Sequence, residues 1–155
     1  MDELVVIKQN VAVPTLEKLK ESVVHLIGSN GQSGTGFLLK GTHQVMTNHH
    51  VAKHMANGVA RFNNGDEFKI IGFTQASTEM DIAILVISGT PDPKGNLGLE
   101  LVANNKQLKG GEPVRAIGCP RGLAFSSTAG IISAPRKGNE VANFIDRDKA
   151  QDTYK

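Results

Sequence analysis

Short apolar runs separated by glycine and asparagine fill the chain from Ser22 onward, and their close spacing constrains the fold more than any other feature. Six such runs in succession are typical of a closed β-barrel or a β-sandwich. The strands are predicted at residues 23–28, 36–40, 44–47, 59–62, 67–73 and 82–87.

Two of the separators carry the chemistry of hairpin turns. The pairs Asn30-Gly31 and Asn64-Gly65 each place a glycine after an asparagine, at a point where a tight turn needs a positive φ. We therefore predict a β-hairpin at each of these two positions.

The rest of the chain divides around this series of strands. A proline followed by Leu16 and Leu19 predicts a short helix in an N-terminal extension, residues 1–21. The first barrel is predicted at 22–87, and a linker rich in glycine and proline follows at 88–98. Beyond it, too few strand-like patterns remain for a second complete barrel, so 99–155 is predicted as a partial one. Those patterns lie at 99–103, 113–117, 126–134 and 141–145.

Composition excludes several classes of function. The 155 residues carry 17 Lys and Arg against 15 Asp and Glu, and these charges are scattered, which argues against a nucleic-acid partner. A single cysteine, Cys119, excludes an internal disulfide and a zinc site built on several thiolates. No run approaches the ~20 apolar residues of a membrane span, and no signal-peptide pattern opens the chain. We therefore expect a soluble chain whose compartment the sequence leaves open.

A histidine and an acid stand at the ends of two predicted strands. His50 follows the strand at 44–47, and Asp81 directly precedes the apolar strand at 82–87. A histidine oriented by a carboxylate is what a general base requires, because the acid fixes the tautomer and stabilises the imidazolium. An acid before an apolar strand is equally typical of a turn residue, so spacing alone leaves both interpretations open.

Around these residues the sequence resembles a known family. The segments 33–39, 47–51 and 81–85 are similar, in order and spacing, to signatures of trypsin-like serine proteases of the HtrA/Deg type, and 117–123 and 127–134 continue the similarity. The resemblance implies an all-β, chymotrypsin-like fold of two antiparallel β-barrels, the first complete and the second incomplete in this chain. It also implies a protein or peptide substrate, and by analogy a periplasmic or secreted location.

The resemblance also assigns roles to individual residues. The histidine just before Val51 is His50, so the resemblance implies that His50, and not His49, is the catalytic general base. Asp81 corresponds to the acid that orients this base. We expect a serine endopeptidase that hydrolyses peptide bonds through a His-Asp-Ser triad.

The nucleophile of that triad is missing from the sequence. The family's Gly-Asn-Ser-Gly-Gly motif does not occur, so we expect the serine to lie outside this chain and the chain alone to be inactive. Ser126 and Ser127 are poor substitutes because they lie in a strand-like pattern. Cys119 occupies a Gly-x-Pro turn, where a lone cysteine is usually a small buried residue.

Two other functions remain open at this point. One is a catalytically dead protease-fold module that binds peptides or a protein partner. The other is a metal site at His50 and His54, which stand four residues apart but lack the glutamate of His-Glu-x-x-His. We expect no metal and no cofactor. Because an incomplete barrel leaves strand edges open, we also expect self-association or a second chain that completes it.

Overall fold

Short β-strands make up most of the structure, a computed structural model that describes residues 3–6, 16–101, 109–119 and 125–133. Of residues 3–6 only the backbone is described. In chain order the elements are β1 (Glu3–Val6), α1 (Leu16–Lys20), β2 (Val23–Ile27), β3 (Ser33–Leu38), β4 (Gln44–Thr47), α2 (His49–Ala52), β5 (Val59–Phe62), β6 (Glu67–Ser77), β7 (Ile82–Ile87), β8 (Pro113–Gly118) and β9 (Ser126–Ile131).

Six antiparallel strands form a closed barrel, in the order β2-β3-β4-β7-β6-β5, with β5 pairing back to β2. Alternate residues point inward, as in β7, where burial changes at every step along the strand. The interior is filled by apolar side chains that include Val24, Leu26 and Phe62. Phe62 also meets Phe68 edge to face, with ring centroids 5.7 Å apart. The predicted first barrel is confirmed.

Both predicted hairpins are present. Gly31 and Gly65 adopt φ values of 87° and 95°, which asparagine-glycine turns require. The first turn joins β2 to β3 and the second joins β5 to β6.

Strand β6 is longer than predicted, because it runs to Ser77 and not to Phe73. Its second half carries polar residues on an exposed surface, so hydrophobic alternation does not reveal it. This half is held in place by its pairing with the buried strand β7. The pairing contains two register shifts, one between Ile70 and Gly72 and one between Phe73 and Gln75.

A smaller sheet, in the order β1-β8-β9, lies beside the barrel. Ile117 of this sheet packs with Leu19 of α1 and Val23 of β2, so an apolar contact joins the two parts. Strand β1 was not predicted from the sequence; it pairs with β8, with Glu3 opposite Ile117. The predicted strand at 141–145 lies outside the described residues, as do the last two positions of 99–103 and the last position of 126–134. Of 99–103, Leu99 forms an isolated bridge with Leu39 and is not part of a described strand.

The predicted linker at 88–98 ends against the barrel. The main-chain N–H of Leu99 donates to the carbonyl of Leu38 at 2.8 Å, and the N–H of Gly98 donates to the hydroxyl of Ser22 at 3.1 Å. These bonds fix where the chain leaves the barrel for the second sheet. Neither described helix has the length or the apolar character that crossing a bilayer demands.

Candidate active site

The turn after β4 places His50 at one end of the barrel. Strand β4 ends at Thr47, whose side chain is buried and whose hydroxyl donates to the carbonyl of Thr35 at 2.7 Å. Asn48 follows in an extended conformation, and the single turn of α2 then begins at His49. Because the helix starts at the mouth of the barrel, the imidazole of His50 reaches solvent.

Asp81 lies in the turn between β6 and β7. It adopts a left-handed φ of 54°, and its N–H donates to the carbonyl of Thr78 at 3.3 Å. Aspartate is one of the few non-glycine residues found regularly in this region of the backbone map. Asp81 is therefore a turn residue, as one of the two sequence interpretations held.

Strand register brings His50 and Asp81 together. Strands β4 and β7 are antiparallel neighbours, with Thr47 opposite Ala83. Residues that follow Thr47 and residues that precede Ala83 must therefore meet at the same end of the barrel. Asp81 is both a turn residue and the neighbour of His50.

Both oxygens of the Asp81 carboxylate bind His50. Oδ2 lies 2.6 Å from the ring atom Nδ1, and Oδ1 accepts the main-chain N–H of His50 at 2.9 Å. The hydrogen bond from that N–H, followed by the bond to the ring, lowers the pKa of Asp81 below its ordinary value. Asp81 is thus ionised at neutral pH.

An ionised carboxylate only accepts hydrogen bonds, so the proton in the Asp81–His50 bond resides on Nδ1. The lone pair of the imidazole is then on Nε2, the position from which a histidine accepts a proton. The side chains of His50 and Asp81 are 53% and 43% exposed, so a reacting group can approach the pair. The arrangement is competent for general base chemistry.

Sequence reasoning missed Asn48. Its side-chain amide donates to the main-chain carbonyl of Asp81 at 3.2 Å. An asparagine between a strand and a helix is normally interpreted as a helix cap, and no sequence signal distinguishes that role from a contact with a residue 33 positions away.

The other candidate residues belong to the second sheet or directly follow one of its strands. Ser126 and Ser127 are on β9, opposite Gly118 and Ile117 of β8. Cys119 is buried, and its main-chain N–H donates to the hydroxyl of Thr35 at 2.9 Å. These positions agree with Ser126 and Ser127 as strand residues and with Cys119 as a small buried residue.

The remaining histidines form no metal centre within the described ranges, where no three His, Cys, Asp or Glu side chains gather as ligands. His54 is half-buried after α2. His25 is buried at 8% exposure, and no described residue forms a hydrogen bond with its Nε2. Burial, followed by the charge of Arg61, lowers the pKa of His25.

Comparison with known proteins agrees with this geometry. The Trypsin-like peptidase domain family matches residues 34–153. A probable periplasmic serine endoprotease DegP-like from Halomonas elongata is 37% identical over 103 residues, covering 65% of this chain and 20% of the relative. Serine protease HTRA3 of Mus musculus is 32% identical over 151 residues, covering 86% of the chain and 32% of the relative.

A third relative, Serine protease HTR4 of Rattus norvegicus, is 28% identical over 153 residues, covering 91% of this chain and 30% of the relative. The chain thus spans between 20% and 32% of the length of these relatives. With well over half of its length matched by one family and a closed antiparallel barrel as its main unit, the chain belongs to the trypsin-like peptidase family.

Proposed function

We propose that this chain carries the general base and the orienting acid of a serine endopeptidase whose nucleophilic serine lies outside it. His50 is the base and Asp81 is the acid. The observation that carries the proposal is the double contact between them: one carboxylate oxygen fixes the main chain of His50 and the other fixes Nδ1 at 2.6 Å. A turn aspartate without a catalytic role does not need to bind the ring.

In the proposed reaction a serine hydroxyl attacks the carbonyl carbon of a peptide bond. Nε2 of His50 takes the proton of that hydroxyl and then delivers it to the leaving amine. Asp81 stays ionised, holds the proton on Nδ1 and stabilises the imidazolium while it exists. The proposal takes the serine from outside the chain because the Gly-Asn-Ser-Gly-Gly motif does not occur among the 155 residues.

The names of the relatives support the same class of reaction, since all three are called serine proteases or endoproteases. The substrate of this chain, a protein or peptide, is part of the proposal. So is a periplasmic or secreted location, which the name of the Halomonas relative supports.

The first test uses the 155-residue chain as it stands. We expect no hydrolysis of casein or of labelled peptides, and no labelling of any serine by a fluorophosphonate, because the chain lacks the nucleophile motif. Stoichiometric labelling of Ser126 or Ser127 would contradict the assignment of the nucleophile to another segment.

The decisive test begins with the gene sequence beyond Lys155. Where a Gly-x-Ser-Gly-Gly motif follows, the longer polypeptide is expressed and compared with its His50→Ala and His49→Ala variants. We expect His50→Ala to lose about 10⁴-fold in peptide hydrolysis or more. His49→Ala, the matched control one residue away, is expected to keep most of the activity. Equal losses in both variants contradict the assignment of His50 as the base. A stop codon with no second chain that restores activity favours the peptide-binding module instead.

A further inference from the structure

Asn48 occupies the position before α2, where asparagine usually caps a helix. Its main chain has the extended conformation of a cap residue, with φ −77° and ψ 146°. Asparagine is among the preferred residues there because its side-chain oxygen accepts an N–H from the first helical turn. The side chain of Asn48 makes no such bond. Its amide is therefore available for another purpose.

The amide of Asn48 is directed instead across the barrel mouth to Asp81. Nδ2 donates to the main-chain carbonyl oxygen of Asp81 at 3.2 Å, and Asn48 is half-buried. This bond joins the end of β4 to the turn before β7, where the two elements of the site meet.

Asp81 needs support of this kind. A left-handed φ of 54° is unfavourable for a residue with a Cβ, and the surrounding contacts must maintain it. Both carboxylate oxygens are already engaged by His50, and the N–H of Asp81 is engaged by Thr78. The carbonyl is the one remaining polar group of the residue, and Asn48 is its partner.

We propose that Asn48 is a positioning residue, whose amide holds the main chain of Asp81 in the one conformation from which both carboxylate oxygens reach His50. Its catalytic importance rests on the proposed function. The effect of Asn48 on the His50–Asp81 pair is independent of the proposed function, since that pair is present in this chain.

The test replaces Asn48 by serine in the 155-residue chain. Serine caps helices about as well as asparagine, so a residue that only capped α2 tolerates the change. The serine side chain is shorter by one bond and does not reach the carbonyl of Asp81. Asn63→Ser, in the exposed turn after β5, is the matched control.

Two NMR signals report on the pair. One is the pH titration of the Asp81 carboxyl carbon, and the other is the downfield resonance of the proton on Nδ1 of His50. We expect Asn48→Ser to raise the pKa of Asp81 towards its ordinary value, because the bonds from His50 lower it. We also expect loss of the Nδ1 resonance through exchange with water. Wild-type behaviour of both signals in a folded Asn48→Ser protein overturns the proposal.

A measurement on the unmodified chain covers the case in which Asn48→Ser does not fold. Side-chain amide protons that are held in a hydrogen bond exchange slowly with deuterium. We expect those of Asn48 to exchange more slowly than those of exposed Asn63, and equal rates contradict the proposal. Failure of His50→Ala to reduce peptide hydrolysis defeats the proposed function separately, because neither NMR signal depends on turnover.

Discussion

The sharpest stability prediction concerns Gly34, which lies on β3 next to Val51 of helix α2. Its φ is not in the left-handed region, so backbone conformation does not require a glycine there. Space does: a Cβ at this position meets Cγ1 and Cγ2 of Val51 at 2.5 and 2.8 Å. Ordinary carbon contacts lie near ~3.5–4.0 Å, so about 1 Å of overlap must be relieved.

Val51 cannot relieve the overlap by turning its side chain. Both methyl groups approach the added Cβ, and χ1 of a β-branched residue is stiff in a helix. Helix α2, with His50 beside Val51, must move instead. Overpacking of this kind costs about 1–3 kcal/mol, whereas Gly→Ala recovers only about 0.4–1 kcal/mol through the unfolded chain. We therefore expect Gly34→Ala to lower the free energy of unfolding by roughly 1–2 kcal/mol.

A double-mutant cycle with Val51→Ala tests the mechanism. That change removes the two closest atoms, and the nearest remaining atom is Cβ of residue 51 at 3.2 Å. Urea unfolding of the four proteins gives the coupling, and we expect Gly34→Ala to cost less than about 0.5 kcal/mol when residue 51 is alanine. An equal cost in both backgrounds would refute the steric argument.

Three further predictions concern acid titration and the core. Because its pKa is lowered, Asp81 stabilises the folded state at pH values above the ordinary aspartate pKa, and this stabilisation is lost as pH falls through the folded pKa. Asp81→Asn should remove that part of the decrease in unfolding free energy with acid, measured by urea unfolding, and an unchanged decrease contradicts the argument. The lowered pKa of His25 has a different origin, since burial disfavours its charged form: below pH ~6.5 the unfolded chain binds a proton that the folded chain does not, so stability falls with acid. His25→Leu should flatten the stability curve in that range, and an unchanged curve contradicts the argument. Leu26→Ala, at a fully buried barrel position, should cost about 2–5 kcal/mol, whereas Ile71→Ala, at 64% exposure, should change stability by less than about 0.5 kcal/mol; similar losses would mean that Leu26 is not in the core.

The barrel was predictable because its signals are local. Asparagine-glycine turns mark where hairpins reverse, and short apolar runs mark the strands between them. Strand β1 gave no comparable signal, since its pairing partner among the described strands is β8, more than a hundred positions along the chain. The second half of β6 was missed because its side chains face solvent and show no alternation.

The candidate site was predictable only in part. The positions of His50 and Asp81 at strand ends suggested a role for each, and the family resemblance linked them. Their actual contact depends on the pairing of Thr47 with Ala83, a register that no local pattern specifies. The contact of Asn48 with Asp81 was not predicted for a related reason. The same strand register brings the two residues together, whereas the sequence around Asn48 predicts a helix cap.

Thr35 forms hydrogen bonds with both the barrel and the segment that ends β8 of the second sheet. Its hydroxyl accepts the N–H of Cys119 at the end of β8, and its carbonyl accepts the hydroxyl of Thr47 at the end of β4, so one buried residue is fastened to both. Two hydrogen bonds, of 2.9 and 2.7 Å, thus connect the residue after β8 through Thr35 to the last residue of β4, three positions before His50. We therefore expect a change in the position of β8 to alter the end of β4, the segment that leads into His50.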